Sequence, residues 1–372
     1  MRKFMIPGLL ALVLIASCRQ VTVSPRPTVP LVYSILADTA GTGRLAARAG
    51  DIGVQGSIAL IGQAEEGILL ARRFLSVDQR DNVDGRMDRD SLPDFAGESF
   101  DVILDVTDAP YTHFLQEGPD AASHLDSLRE NAVRNAVFAW DSLCYVSGAE
   151  ARASLSKQQA KILIYTSSLQ AEWGLFDVDT LLQLSGGRCR ILSPVHTLLD
   201  DAQAAGASNL AVWTSRDVRA SGAWENVFAR RQWDQSTLHV LSPDIALDVR
   251  TEFRQLLRQY RATGLRLDVL LLDSYYPDIQ PLLSELAMIR RAGTEEDAAF
   301  DRMLAPDFQI LDPTHSLIRA TYNLLRQDHL FTHRIARPQA HYYETVESGN
   351  GVPVLVEVTV PYIQQTYVPH FD

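Results

Sequence analysis

Cysteine is scarce, three in 372 residues, and none forms a CxxC pair, so thiol redox chemistry and cysteine-rich zinc sites lack their usual support. HExxH, GxxxxGKS/T and GxSxG are absent too, which removes the sequence basis for zinc-protease, P-loop and serine-hydrolase readings. Basic residues are outnumbered 34 to 46. No segment gathers them into a groove, so neither nucleic acid nor anionic lipid is expected as the main partner. Histidine offers little: His329 and His333 stand four apart with His341 nearby, but no carboxylate accompanies them at a fixed offset. The acidic segment 78–98 (DQRDNVDGRMDRDSLPDFAGE) puts Arg80 and Ser91 where a calcium loop needs carboxylates, and reads as a solvated loop. No metal and no cofactor is expected.

What is present begins at the N-terminus. Arg2 and Lys3 precede an apolar run from Phe4 to Ala16, the pattern of a secretory signal and too short to cross a bilayer. It ends in Ile15-Ala16-Ser17-Cys18, which resembles the lipobox of bacterial lipoproteins. That resemblance implies cleavage after residue 17, lipid on Cys18 and a stable membrane anchor. Arg19 follows where an inner-membrane retention signal would place Asp, so a lipid-anchored position in the cell envelope, with the outer membrane favoured, is expected. Residues 18–30, with three prolines, read as an extended tether. The mature chain carries a net charge of about −14, and with 46% hydrophobic residues it is long enough for one large or two medium domains.

Short apolar runs alternate with longer amphipathic ones. Strands are expected at 31–37, 101–105, 161–165, 189–192, 208–213, 236–241, 267–272 and 307–311, with a closing edge strand at 353–360. Helices are expected at 120–143, 245–263 and 314–327, the second stopped by Gly264. Such alternation predicts an α/β fold with mainly parallel sheets and active residues at the carboxyl ends of strands. Cys144 falls late in a helical pattern and Cys189 at the start of a strand, positions suited to buried free thiols or a disulfide.

Four expected strand ends carry small polar residues: Asp38 to Gly43, Asp105 to Thr112, Tyr165 to Ser168, and Asp273 to Pro277. Each is compatible with helix capping and turn chemistry; together they are the default ligand set of a parallel sheet. The stretches ADTAGTG (37–43), DVTDAPYT (105–112), VWTSRDVRASGAW (212–224), LDSYYP (272–277) and ILDP (310–313) occur in the order of FDSGxGG, DTxxxPYG, LATxGTVxSGxY, LGCTHYP and LIDP. In this the chain resembles the glutamate racemase family of the aspartate/glutamate racemase superfamily. The resemblance implies two pseudo-symmetric α/β domains with a cleft between them, the first from 31–193 and 313–372 and the second from 194–312. It also implies that homodimers are possible.

The departures concern chemistry. That family uses two cysteines, in CNT and GCTH, where this chain has Ile164-Tyr165-Thr166 and Leu272-Asp273-Ser274-Tyr275. Isoleucine exchanges no proton, so two-thiol racemisation is not expected. The resemblance leaves a ligand cradle of Thr39, Pro110, Tyr111, Tyr165, Thr166, Ser274 and Tyr275, with Asp38 and Asp273 as candidate acid/base groups. The expectation is a racemase-like lipoprotein that binds a small carboxylate or amino-acid-like ligand. The alternatives are an isomerase, lyase or hydrolase using Asp and Tyr groups, and an envelope scaffold with a closed cleft.

Overall fold

The computed structural model describes residues 26–359 apart from 83, 116–120, 244–247 and 333. The signal segment, Cys18 and His333 lie outside the described residues. In chain order the strands are β1 (Ser57–Gly62), β2 (Ser99–Leu104), the two-residue β3 (Leu143–Cys144) and β4 (Leu155–Ser156), β5 (Ala160–Tyr165) and β6 (Arg190–Leu192). They continue with β7 (Asn209–Trp213), β8 (Thr237–Leu241), β9 (Leu267–Leu272), β10 (Leu304–Leu311), β11 (Gln339–Glu347) and β12 (Pro353–Val358). Apart from the two-stranded pair β3-β4, one sheet runs β12-β11-β2-β1-β5-β6 and the other β10-β9-β7-β8. All their pairings are parallel except β11 with β12.

The two sheets repeat one topology. Counted in chain order within each sheet, β2-β1-β5-β6 is 2-1-3-4, and β8-β7-β9-β10 is 2-1-3-4 again. In both, the chain changes direction of travel across the sheet between the first and third strands, β1/β5 and β7/β9. The second sheet draws only on residues 209–311, and β11 and β12 bring the chain back to the first.

Helices cover both faces of each sheet, so the central strands are buried along their length. Ile58 and Leu60 of β1 pack with Phe74 and Phe100, whereas Ala59 and Ile61 face Ala132 and Trp140. That is the two-residue alternation of a strand with two apolar sides. In the second sheet Leu210 and Val212 meet Leu198 and Trp224, and Ala211 and Trp213 meet Phe253 and Phe300. The helix Val249–Arg261 is capped by Ala262, and Gly264 takes φ +70° just beyond it.

Three expectations are corrected. Residues 31–37 are not a strand: Pro30–Ala37 is a helix with Pro30 in its first turn, and Val32 and Ile35, three apart, are its buried face. The first strand is instead β1, and β11 was not anticipated either. The end of the 18–30 tether is docked rather than free, since Val29 is 1% exposed and its N–H donates to Asp177 Oδ1 at 3.0 Å. Cys144 belongs to β3, not to a helix, and Cys144 and Cys189 are buried free thiols with no disulfide between them.

Candidate functional site

In an open parallel sheet, ligands collect outside the carboxyl ends of strands at the point where strand order reverses. Here there are two such points, and side chains join them. Beyond β1 the helix Ala64–Ser76 begins, with Glu66 in its first turn. Beyond β5, Thr166 Oγ1 donates to Glu66 Oε2 at 3.0 Å. This approach requires a glycine at the end of β1, because a Cβ on Gly62 would lie 1.9 Å from Thr166 Oγ1.

Beyond β9, Asp273 Oδ2 accepts Thr214 Oγ1 from the end of β7, and Ser168 Oγ at 3.2 Å from the first sheet's side. Asp273 Oδ1 is buried without a hydrogen-bond partner, and the Trp224 indole, also unpartnered, faces the same carboxylate. Tyr275 closes the seam by donating its hydroxyl to the Thr166 carbonyl at 2.9 Å.

Burial dominates both carboxyls. It raises Glu66 to about 8, against the hydrogen bond from Thr166 and with help from the nearby charge of Asp273. The N-terminal end of a helix favours a carboxylate, yet desolvation outweighs it here. Burial also raises Asp273, to about 6, opposed by the hydrogen bonds from Thr214 and Ser168 and by the Trp224 indole turned toward it. Near neutral pH one carboxyl therefore holds its proton while the other is ionised.

Of the expected site residues, Thr166, Asp273 and Tyr275 come together. Ser274 is exposed beside them. Tyr165 does not join: its ring is buried in the core and its hydroxyl donates to the Ala132 carbonyl at 2.6 Å. The alternation of β5 dictates this, since Thr166 and Tyr165 point to opposite sides. Pro110 follows a cis peptide bond. Tyr111 is fully buried and donates to Asp105 at 2.9 Å, where Asn131, Asn135 and Thr345 also converge.

Asp38 and Thr39 stand apart from a strand end altogether. Both are exposed in the turn between two helices, and Asp38 accepts from Gly41 N–H at 3.0 Å and Thr42 N–H at 2.8 Å. Those bonds hold its carboxyl below the usual range, as expected of a local cap. The structure does not bring Asp38 to Asp273. Glu66, whose carboxyl feels the charge of Asp273, stands at the other strand-order reversal and is absent from the sequence expectation. Its signal was the apolar run SIALIG, followed within four residues by Glu66 at the start of a helix.

No family model matches the chain, and no curated protein matches it. Among solved structures, a glutamate racemase from Francisella tularensis subsp. tularensis SCHU S4 in complex with D-glutamate shares 11% identity. The likeness covers 80% of this chain and 90% of that one, with a TM-score of 0.49. The chain is similar to glutamate racemases. An isoform from Bacillus anthracis shares 13%, over 79% of this chain and 90% of its own, with a TM-score of 0.48. A putative Asp/Glu racemase from Yersinia pestis shares 12%, over 73% of this chain and 100% of its own, with a TM-score of 0.40. At these identities the site residues are read from this chain alone.

Proposed function

We propose that the protein is a lipid-anchored, racemase-like envelope protein whose cleft binds a small amino-acid-like ligand without two-thiol racemisation. The observation that supports it best is the meeting of both strand-order reversals at Glu66, Thr166, Ser168, Thr214 and Asp273. Asp273 and the unpartnered Oδ1 suit an ammonium group. Neutral Glu66, with the Thr166 hydroxyl, limits repulsion of a ligand carboxylate. Neither described cysteine is suited to the chemistry, because Cys189 is raised to about 12 by burial and Cys144 is also raised by burial.

Glu66 and Asp273 also favour a second reading, an isomerase or lyase in which one group is the acid and the other the base. Thermal-shift measurements on the full chain against D- and L-amino acids, dicarboxylates and muropeptide fragments test binding. An upward shift lost in Thr166→Val supports the cleft, and no shift at millimolar concentration counts against it. Deuterium uptake at the α-carbon of any ligand found, lost in Glu66→Gln with binding kept, would favour the enzyme. The anchor is tested separately, by fatty-acid labelling that Cys18→Ser should abolish.

A further inference from the structure

The helix Ser168–Trp173 has six residues, well short of the roughly 12–15 that sustain an isolated helix in water. Its place therefore depends on side-chain contacts. Ser168 and Glu172, four apart, share one face, and both reach the layer around the second sheet. Ser168 Oγ donates to Asp273, and Glu172 is paired with Arg230 of the helix Ala223–Arg230, Arg230 Nη1 lying 3.2 Å from Oε1.

Glu172 is wholly buried, and an ion in such a place depends on its partners. Its second partner is Arg26, which forms an ion pair with the carboxylate and lies over the Trp173 ring at 3.9 Å from its centroid. The residues after Arg26 are fastened as well. Arg129 donates to the Pro27 carbonyl and holds Asp177 through two bonds of 2.8 and 3.0 Å, while Asp177 accepts the Val29 N–H.

We propose that Arg26 and Glu172 are positioning residues for the cleft, with residues 26–29 acting as a clasp. The clasp holds the short helix against the second sheet and so keeps Ser168 on Asp273. This rests on the reading of Asp273 as part of the cleft. Cys18 stands eight residues before Arg26, a reach of at most about 29 Å for extended chain. With Cys18 lipidated, load on the anchor passes to the cleft through this clasp.

The test uses the full chain with Arg26→Ala and Arg26→Lys, reading amide exchange and the carboxyl titration of Asp273 by NMR. The titratable groups that feel the charge of Asp273 are Glu66, Tyr275 and Tyr276, and all are retained in both variants. Arg26→Ala should speed exchange at Leu169–Trp173 about tenfold or more, leave β7 and β9 unchanged, and raise the Asp273 midpoint as the Ser168 donor loosens. Arg26→Lys, which keeps the charge but loses the fork, should fall between. Wild-type exchange, an unmoved Asp273 midpoint or uniform acceleration everywhere would overturn the proposal. If Arg26→Ala does not fold, Arg26→Lys decides it, wild-type values again overturning. Neither readout needs a ligand, so an empty ligand screen leaves this test intact.

Discussion

The two strand-order reversals have the same topology and opposite protonation. At the second sheet, Asp273 faces three donors, Thr214, Ser168 and the Trp224 indole, and burial raises it only to about 6. At the first, Glu66 has one firm donor, Thr166, with Gln63 Nε2 at 3.5 Å, and burial raises it to about 8. The two reversals thus hold an acid after the first strand of one sheet, Glu66, and a base after the third strand of the other, Asp273. The difference lies in hydrogen-bond supply and in the order of ionisation, because the charge on Asp273 further disfavours a charge on Glu66.

The largest effect should come from Glu66→Gln. A carboxyl raised in the folded state binds more protons there than when unfolded, so stability falls as pH rises from about 4.5 toward 8 and is flat above. Removing Glu66 should abolish that slope, giving a gain at pH 8.5 relative to wild type on the order of a few kcal/mol by urea unfolding. Asp273→Asn should instead remove a slope confined to about pH 4–6. Coincident windows for the two variants would erase the contrast between the sites.

Gly62→Ala should cost about 1–3 kcal/mol of stability by overpacking Thr166, again measured by urea unfolding. Wild-type stability would mean that Thr166 and Glu66 yield easily. Thr214→Val should raise the Asp273 midpoint, and Thr166→Val the Glu66 midpoint, each by about one unit, read by carboxyl NMR. A Glu66 midpoint that does not move would assign its shift wholly to burial and to Asp273. The smallest effect is expected at the thiols. Iodoacetamide applied to the native protein should leave any ligand-induced thermal shift unchanged, since both thiols among the described residues are buried and their pKa values raised.

Legibility in the sequence followed the strength of local pattern. The strands β2 and β5 to β10 and the edge strand β12 were expected near their observed positions, because each is a compact apolar run bounded by turn residues. The run at 31–37 was misread since LVYSILA fits alternation and a helical spacing about equally. Pro30 at the first helical position decided for the helix. That error carried Asp38 into the expected site, because its short acidic turn looked like the loop after a first strand. Tyr165 was misplaced by one step of the β period, enough to send its ring into the core.

By itself the sequence determined the alternation of strands and helices, the scarcity of thiols where Ile164 and Asp273 stand, and the polar strand ends Thr166 and Asp273. Those are local properties, written in runs of a few residues. Tertiary structure alone decided that Glu66 feels the charge of Asp273 from a position 207 residues earlier in the chain, that Arg26 reaches Glu172, and which carboxyl keeps its proton. Desolvation and hydrogen-bond supply depend on what the fold packs around a group, and no local pattern encodes that.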